Sequence, residues 1–512
     1  MASLSFEHVS FGYDAAPDDL FADLQFGVSE GWAGVIGANG SGKTTILRLA
    51  SGELEPRAGR VHRPPHALYC AQRTDEPMDA FGELLMADDG EAYQIRGRLG
   101  VEDDWLERWT TLSHGERKRA QIATCLWLDP DLLAIDEPTN HLDRDAHRRV
   151  IGALRSYRGI GLLVSHDREL LDGLCTHCLF VSGSIVALRS GGYTAAREGV
   201  LAEDRALRER RVKARAEERR LDRERVVRRR HQEIAEKAKS LRGMNPRDSD
   251  ARQKAYAARV SDSGAGKRLR QLEGRIAQAK EAQHVGPLLR QSALGIDIVG
   301  ERAPCNRLCH LPAGSIRLGD ERSLRFDELM VLPADRIALV GPNGSGKSTL
   351  IRHLVDCIDL GPGRVVTIPQ EIDAETSARL IDEVRDLPGE RLGRTMSWVS
   401  RLGSDPERLL GSRLPSPGEV RKLLLAMHIA DRPYLIILDE PTNHMDLPSI
   451  ECLEEALCGA ACALLLVSHD ERFLGRLTTT RWVIEPDGSS ASFRLVRRTL
   501  PGGGLDDCRA PA

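Results

Sequence analysis

Two eight-residue runs in this chain have the composition of a phosphate cradle: Gly37-Ala38-Asn39-Gly40-Ser41-Gly42-Lys43-Thr44 and Gly341-Pro342-Asn343-Gly344-Ser345-Gly346-Lys347-Ser348. Both fit the pattern G-x-x-x-x-G-K-[ST]. Their glycines let backbone N–H groups turn inward around phosphate oxygens, and a helix opening at the end of each run adds partial positive charge. In such a loop Lys43 and Lys347 reach the β- and γ-phosphates of ATP, Thr44 and Ser348 ligate Mg2+, and Thr45 and Thr349 follow in the helix.

Each run is followed by the same acidic and histidine signals at nearly the same distance. An Asp-Glu-Pro-Thr-Asn-His run starts 99 residues after Gly37, at Asp136, and 98 after Gly341, at Asp439. The histidine of a Ser-His-Asp run falls at offset 129 (His166) and 128 (His469). This agreement of offsets marks an internal duplication. Paired carboxylates at a strand end divide the work: Asp136 and Asp439 hold the metal through water, while Glu137 and Glu440 polarise the attacking water as bases. The plainer alternative is acids that merely cap a strand.

These residues need strands to carry them. Trp32-Ala33-Gly34-Val35-Ile36 and Arg336-Ile337-Ala338-Leu339-Val340 read as buried strands feeding the two glycine loops, and Leu132–Ile135 and Leu435–Leu438 as strands ending in the acidic pairs. At 512 residues there is room for two or three domains with proper cores. The longest apolar runs, such as Ala463-Leu464-Leu465-Leu466-Val467, suit buried strands and are far short of the ~18 residues of a membrane span. The N-terminal residues lack the basic-then-apolar pattern of a secretory leader, so a cytoplasmic protein is expected. Eleven scattered cysteines suit reduced thiols. The clusters Cys175/Cys178 and Cys305/Cys309/His310 read either as buried or incidental thiols or, assembled together, as a zinc site.

The formal charge of −4 is unevenly spread, since residues 201–290 hold 26 Lys+Arg against 14 Asp+Glu, a surplus of +12. That segment is either a solvated helical face or a surface for a polyanion. Strong helix formers run from Leu201 to Leu241, with Leu221, Val227, Ile234, Ala238 and Leu241 as an approximate apolar stripe, and Leu269, Leu272, Ile276 and Ala279 repeat as a return seam. The breaks between them predict a helical hairpin with its tip at about 242–266. The tip carries Arg242, Arg247, Arg252, Lys254, Arg259, Lys267 and Arg268 around Met244 and Tyr256, residues that either pack the hairpin or suit structured RNA.

Leu112-Ser113-His114-Gly115-Glu116 and Pro415-Ser416-Pro417-Gly418-Glu419, each just upstream of an acidic pair, resemble the signature loop of ATP-binding cassette proteins. Gln72 and Gln370 resemble the Q-loop glutamines that touch magnesium and water, Asp143 and Asp446 the D-loop, and His166 and His469 the switch histidine. The resemblance implies an α/β fold of two P-loop ATP-binding cassette domains closing head to tail. One ATP would lie between Lys43 and Ser416 with Gly418, the other between Lys347 and Ser113 with Gly115. Two departures point to active but unequal sites. Tyr13, 24 residues before Gly37, is placed to stack on adenine, whereas the stretch around Arg317 and Leu318 has no aromatic; a stacked base contributes ~1–3 kcal/mol. Pro415 and Pro417 flank the second signature serine and remove backbone donors there.

Tandem cassettes with a basic helical linker and no membrane domain resemble the ABC-F family of ribosome-associated ATPases. Its members, the resemblance implies, bind the ribosomal exit site in the ATP-bound form and reach P-site tRNA and ribosomal RNA through the linker, here 242–266. The expected divisions are cassette 1 at 1–200, linker at 201–290, cassette 2 at 291–498 and a disordered tail at 499–512, in a monomer whose two cassettes pair with each other. Gln72 and Ser113 lie 41 residues apart and Gln370 and Ser416 lie 46 apart, too close for the extra arm of some housekeeping members. With the long tip, this favours the antibiotic-resistance branch over a housekeeping translation factor or the fused ATPase subunit of a transporter.

Overall fold

The computed structural model describes residues 3–14, 19–140, 142–239, 271–281, 300–319, 322–361, 363–370, 372–411, 415–429, 432–443 and 445–499. Met1–Thr194 and Gln291–Ala512 form one compact unit, containing both glycine loops, and Ala195–Arg290 forms a second.

In the first half, five parallel strands run in the order Ala67–Cys70, Leu132–Asp136, Ile160–Val164, Gly31–Gly37 and Cys175–Ser182, and Ile185–Ser190 adds an antiparallel edge. Both faces of the central strands are covered, so Leu132–Asp136 and Ile160–Val164 are buried at every residue, as parallel strands require. A separate antiparallel sheet pairs Leu4–Phe11 with Phe21–Val28 and Ala58–His62. Its inward residues Leu4, Phe6, Val9, Phe21 and Leu24 share one core with Ile46 and Leu47 of the glycine-loop helix.

The second half repeats the parallel order: Val365–Ile368, Leu435–Asp439, Ala463–Val467, Arg336–Val340, Thr480–Asp487. Here the sheet continues through Ser489–Thr499 to Ser323–Phe326 and Gly314–Arg317, making eight strands where the first half has six. In both halves the glycine-loop strand is separated from the acidic strand by one strand, and that strand leads into Ser-His-Asp. All three chemical signals therefore emerge at the same C-terminal edge, where ligands of open parallel sheets collect.

The second unit is helical among its described residues. Its helix Tyr193–Lys239 spans 47 residues, about 70 Å at ~1.5 Å per residue. A second helical stretch, 271–281, packs on it through Leu221, Leu272 and Ile276, with Arg275 at 3.0 Å from Glu217 and Lys280 at 3.8 Å from Glu218. Leu272, Ile276 and Ala279 are buried as the seam spacing predicts. Val227, expected in the stripe, is 53 % exposed. Six residues beyond Leu221 is about 240° of rotation at 3.6 residues per turn, which turns Val227 away from the return helix. The basic tip at 242–266 lies outside the described residues, as do Ile234 and Ala238 as side chains. No described helix is long and apolar enough to cross a membrane.

Candidate active site

Each glycine loop passes into its helix through a left-handed residue, Gly42 at φ 94° and Gly346 at φ 95°. A side chain at either position would be strained and would also strike Phe21 or Leu318, which pack directly against the loop. Lys43 Nζ donates to the carbonyls of Gly37 (2.9 Å) and Ala38 (3.0 Å), and Lys347 Nζ to those of Gly341 (2.8 Å) and Pro342 (3.1 Å). Burial lowers the pKa of both lysines, against the pull of the neighbouring carboxylates.

Thr44 Oγ1 donates to Asp136 Oδ2 at 2.6 Å, and Ser348 Oγ to Asp439 Oδ2 at 2.7 Å. The predicted metal residues of the loop and the acidic strand therefore meet in both halves. Asp439 Oδ1, Ser41 Oγ and Ser345 Oγ are buried with no hydrogen-bond partner among the described residues. Buried polar atoms need partners, and a divalent cation beside the aspartate and phosphate oxygens inside the loop fit these atoms. Gln72 and Gln370 are not drawn into that group: both are exposed just past their strands, and their side chains make no hydrogen bond among the described residues. Instead Tyr69, which the sequence reading passed over, places its hydroxyl 3.3 Å from Asp136 Oδ2.

Glu137 and Glu440 have φ of 47° and 49°, a left-handed conformation unusual for a side-chain-bearing residue and of the kind found at functional sites. Their N–H groups donate to Val164 and Val467 on the adjacent strand, which fixes that turn. Each carboxylate faces the switch histidine: Nε2 of His166 is 3.0 Å from Glu137 Oε1, and Nε2 of His469 is 3.3 Å from Glu440 Oε1. Burial, helped by the Asp136 charge, pushes the Glu137 carboxyl up to about 8, and burial pushes Glu440 to about 7. Burial and the Lys347 ammonium bring His469 down to about 4, leaving it neutral at physiological pH.

Ser113 and Ser416 are N-caps of matching helices, His114–Trp127 and Pro417–Ile429. Each hydroxyl donates to the glutamate three residues on, Glu116 (2.7 Å) or Glu419 (2.8 Å), and accepts from that residue's N–H. Pro417 occupies the first helical position, where the missing N–H removes no intrahelical bond. The second signature helix consequently starts like the first, while Pro415 and Pro417 still withhold two backbone donors beside Ser416. Tyr13 lies beside the first glycine-loop helix, its hydroxyl 3.0 Å from Thr45 Oγ1. In the second half Leu318 occupies the space against Gly346, and a Cβ on Gly344 would come within 3.2 Å of Arg322 Nη1.

The two halves touch at these loops. The backbone N–H of Asn39 donates to Asp446 Oδ2 at 2.8 Å, and Arg408 of the second half lies against Gly40. Burial would raise the Asp446 pKa, but Lys422, Ser449 and the Asn39 N–H outweigh it and hold the carboxyl below its usual range. Reciprocally, the Asp143 charge acts on Lys347 and His469.

Two buried cations escaped the sequence reading. Lys118 Nζ donates to Ala71 O (2.6 Å), Gln121 Oε1 (3.0 Å) and Asp136 O (3.1 Å), tying the signature helix to the Gln72 segment and the acidic strand. Arg421 does the same in the second half, donating to the carbonyls of Gln370, Glu440 (3.0 Å) and Asn443 (2.6 Å). Both stand five residues after a signature serine, which is the repeat signal that would have found them.

Glycine loop, acidic strand, switch histidine and signature helix, on two parallel sheets with the same strand order, define an ATP-binding cassette ATPase with two such cassettes. The family model described as ABC transporter matches residues 21–140 and 327–443. The tylosin resistance ATP-binding protein TlrC of Streptomyces fradiae is 31% identical, over 93% of this chain and 96% of its own length. The ribosome protection protein VmlR of Bacillus subtilis is 27% identical over 93% of this chain and 86% of that protein. Among solved structures, an archaeal ribosome recycling factor, aABCE1, in complex with the stalk protein aP1 superposes with a TM-score of 0.62 over 97% of this chain and 91% of its own, at 18% identity, a likeness of fold. The chain belongs to the ABC-F family of ATPases.

Proposed function

We propose that this protein protects the ribosome from an antibiotic, acting in the cytoplasm. The ATP-bound form binds the ribosomal exit site, the segment 242–266 reaches toward P-site tRNA and ribosomal RNA, and hydrolysis releases the factor. The observation that carries this reading is the match along nearly the full length of both chains to a relative named for tylosin resistance. The match to a protein named for ribosome protection and the +12 surplus of residues 201–290 point the same way.

In each site the glycine-loop N–H groups and Lys43 or Lys347 hold the phosphates. Thr44 with Asp136, and Ser348 with Asp439, would hold Mg2+, which would neutralise phosphate charge when bound. Glu137 and Glu440 orient and deprotonate water, their pKa values near neutrality suiting a base. His166 and His469 fix those carboxylates, and Tyr13 stacks on one adenine. Ser113 with Gly115, and Ser416 with Gly418, close the sites from the opposite cassette.

The test changes Glu137 and Glu440 to Gln and sediments the protein with ribosomes. The variant is expected to bind ribosomes with ATP and to fail to leave, and expression of the wild type is expected to raise the tolerance of a sensitive host to a drug of the peptidyl-transferase region. No ATP-dependent association refutes ribosome action. Association without any change in drug tolerance favours a housekeeping translation factor.

A further inference from the structure

A charge cluster around a buried arginine in the cassette unit lies outside the residues assigned to either site. Arg168 is the second residue after His166 and only 3 % exposed. Its guanidinium grips Glu454 with both terminal nitrogens, Nη1 at 3.1 Å from Oε2 and Nη2 on Oε1, and Nη2 also lies 3.0 Å from Asp470 Oδ2. Glu454, 1 % exposed, is also met at Oε2 by Arg476, at 3.2 Å. Two cations thus balance two anions, and the planar fork of arginine fixes direction as well as charge.

The cluster connects three segments that flank the two sites. Arg168 opens the helix Arg168–Leu174, directly after the first switch histidine. Asp470 follows the second switch histidine and N-caps the helix Glu471–Leu477. Glu454 sits on the helix Leu447–Cys458, whose N-cap is Asp446, the residue that reaches the first glycine loop at Asn39. One guanidinium therefore holds the switch segment of each cassette and the helix through which the second cassette touches the first ATP site.

The duplication shows that this tie is one-sided. The switch histidines are 303 residues apart, and that offset sets Arg168 against Glu471 and Glu454 against Ile151. Glu471, 35 % exposed at its side chain, pairs at 2.6 Å with Arg481 of its own cassette and at 3.6 Å with Arg144 of the other. No second copy of the buried fork exists among the described residues.

We propose that Arg168 is a positioning residue that couples the two ATP sites. By holding Glu454 and Asp470 together it makes the two switch segments shift as one, so that ATP at one site alters the affinity and turnover of the other.

The experiment uses the full chain without ribosomes, so its outcome is independent of the ribosome-protection reading. Hydrolysis is measured against ATP concentration for the wild type, Glu454→Gln and Arg168→Lys, with melting temperatures taken in parallel. The wild type is expected to show a Hill coefficient clearly above 1, bounded by the two sites, and both variants a value of about 1, with maximal rates within about 3-fold of wild type. Loss of stability alone would lower the melting temperature and the active fraction without changing the Hill coefficient. If Glu454→Gln fails to fold, Arg168→Lys, which keeps the charge and removes the fork, decides. A wild-type Hill coefficient of 1, or one unchanged in a folded variant, overturns the proposal.

Discussion

Replacing Lys118 with Met tests whether a buried ammonium beneath the first site is a structural tie. Its three N–H donors all find acceptors, the carbonyls of Ala71 and Asp136 and the side-chain oxygen of Gln121. Hydrogen bonds to a charged group contribute roughly 1.5–3 kcal/mol each, net of desolvation, so the sum over three is at most about 4–9 kcal/mol. Three bonds that share one ammonium do not add in full. The net destabilisation is then about 2–4 kcal/mol, left mainly as two buried carbonyls without donors. For a cassette of this size each kcal/mol shifts the melting temperature by ~2–4 °C, so the transition of the first cassette should fall by about 5–15 °C in calorimetry. Lys118→Arg should recover much of this, because Arg421 ties the corresponding segments in the second half through carbonyls one or more residues further on. A Lys118→Met protein melting within about 2 °C of wild type would falsify the tie.

Tyr13→Ala should weaken one of the two nucleotide sites by roughly 5- to 150-fold, the ~1–3 kcal/mol of a stacked base; titration with a fluorescent ATP analogue that still shows two unchanged affinities removes Tyr13 from the site. The pair His147–Asp167 should give a pH-dependent stability. Burial pulls the His147 pKa down, but the hydrogen bond and charge of Asp167, with Glu169 adding and Arg148 opposing, leave it raised. A raised folded-state pKa stabilises fully below the unfolded value of about 6.5, and the stabilisation is lost as pH rises through the folded value. The melting-temperature gap between wild type and His147→Asn should therefore narrow from pH 5.5 to 8.5, and a gap that stays constant over that range counts against the pair.

The phosphate loops and acidic strands were legible because their chemistry resides in residue identity at short, fixed spacing. Thr44 with Asp136 and Ser348 with Asp439 meet because two apolar strands end at the same sheet edge, and both strands are visible as unbroken aliphatic runs. Arg168 and Glu454 are 286 residues apart, and no local pattern distinguishes a buried arginine from its many exposed neighbours. The donors that Pro415 and Pro417 withhold beside Ser416 are a property of the residues alone, whereas the placing of Pro417 at the first helical position, where no intrahelical bond is lost, needed the helix itself. Val227 went astray because spacing alone does not say which face of a lone helix its partner will cover.

The lopsided fork at Arg168 also fixes which cassette can sit against which. Two copies of the first cassette, paired as the two halves are here, would set Arg168 against Ile151, and two copies of the second would set Glu454 against Glu471. Either arrangement loses the two-nitrogen fork: Arg168 would keep only the aspartate at the Asp470 position, Asp167, and Glu454 only Arg476 of its own cassette. The interface left by the duplication is consequently directional: this fork forms only where a first cassette meets a second, and it labels the two otherwise similar faces.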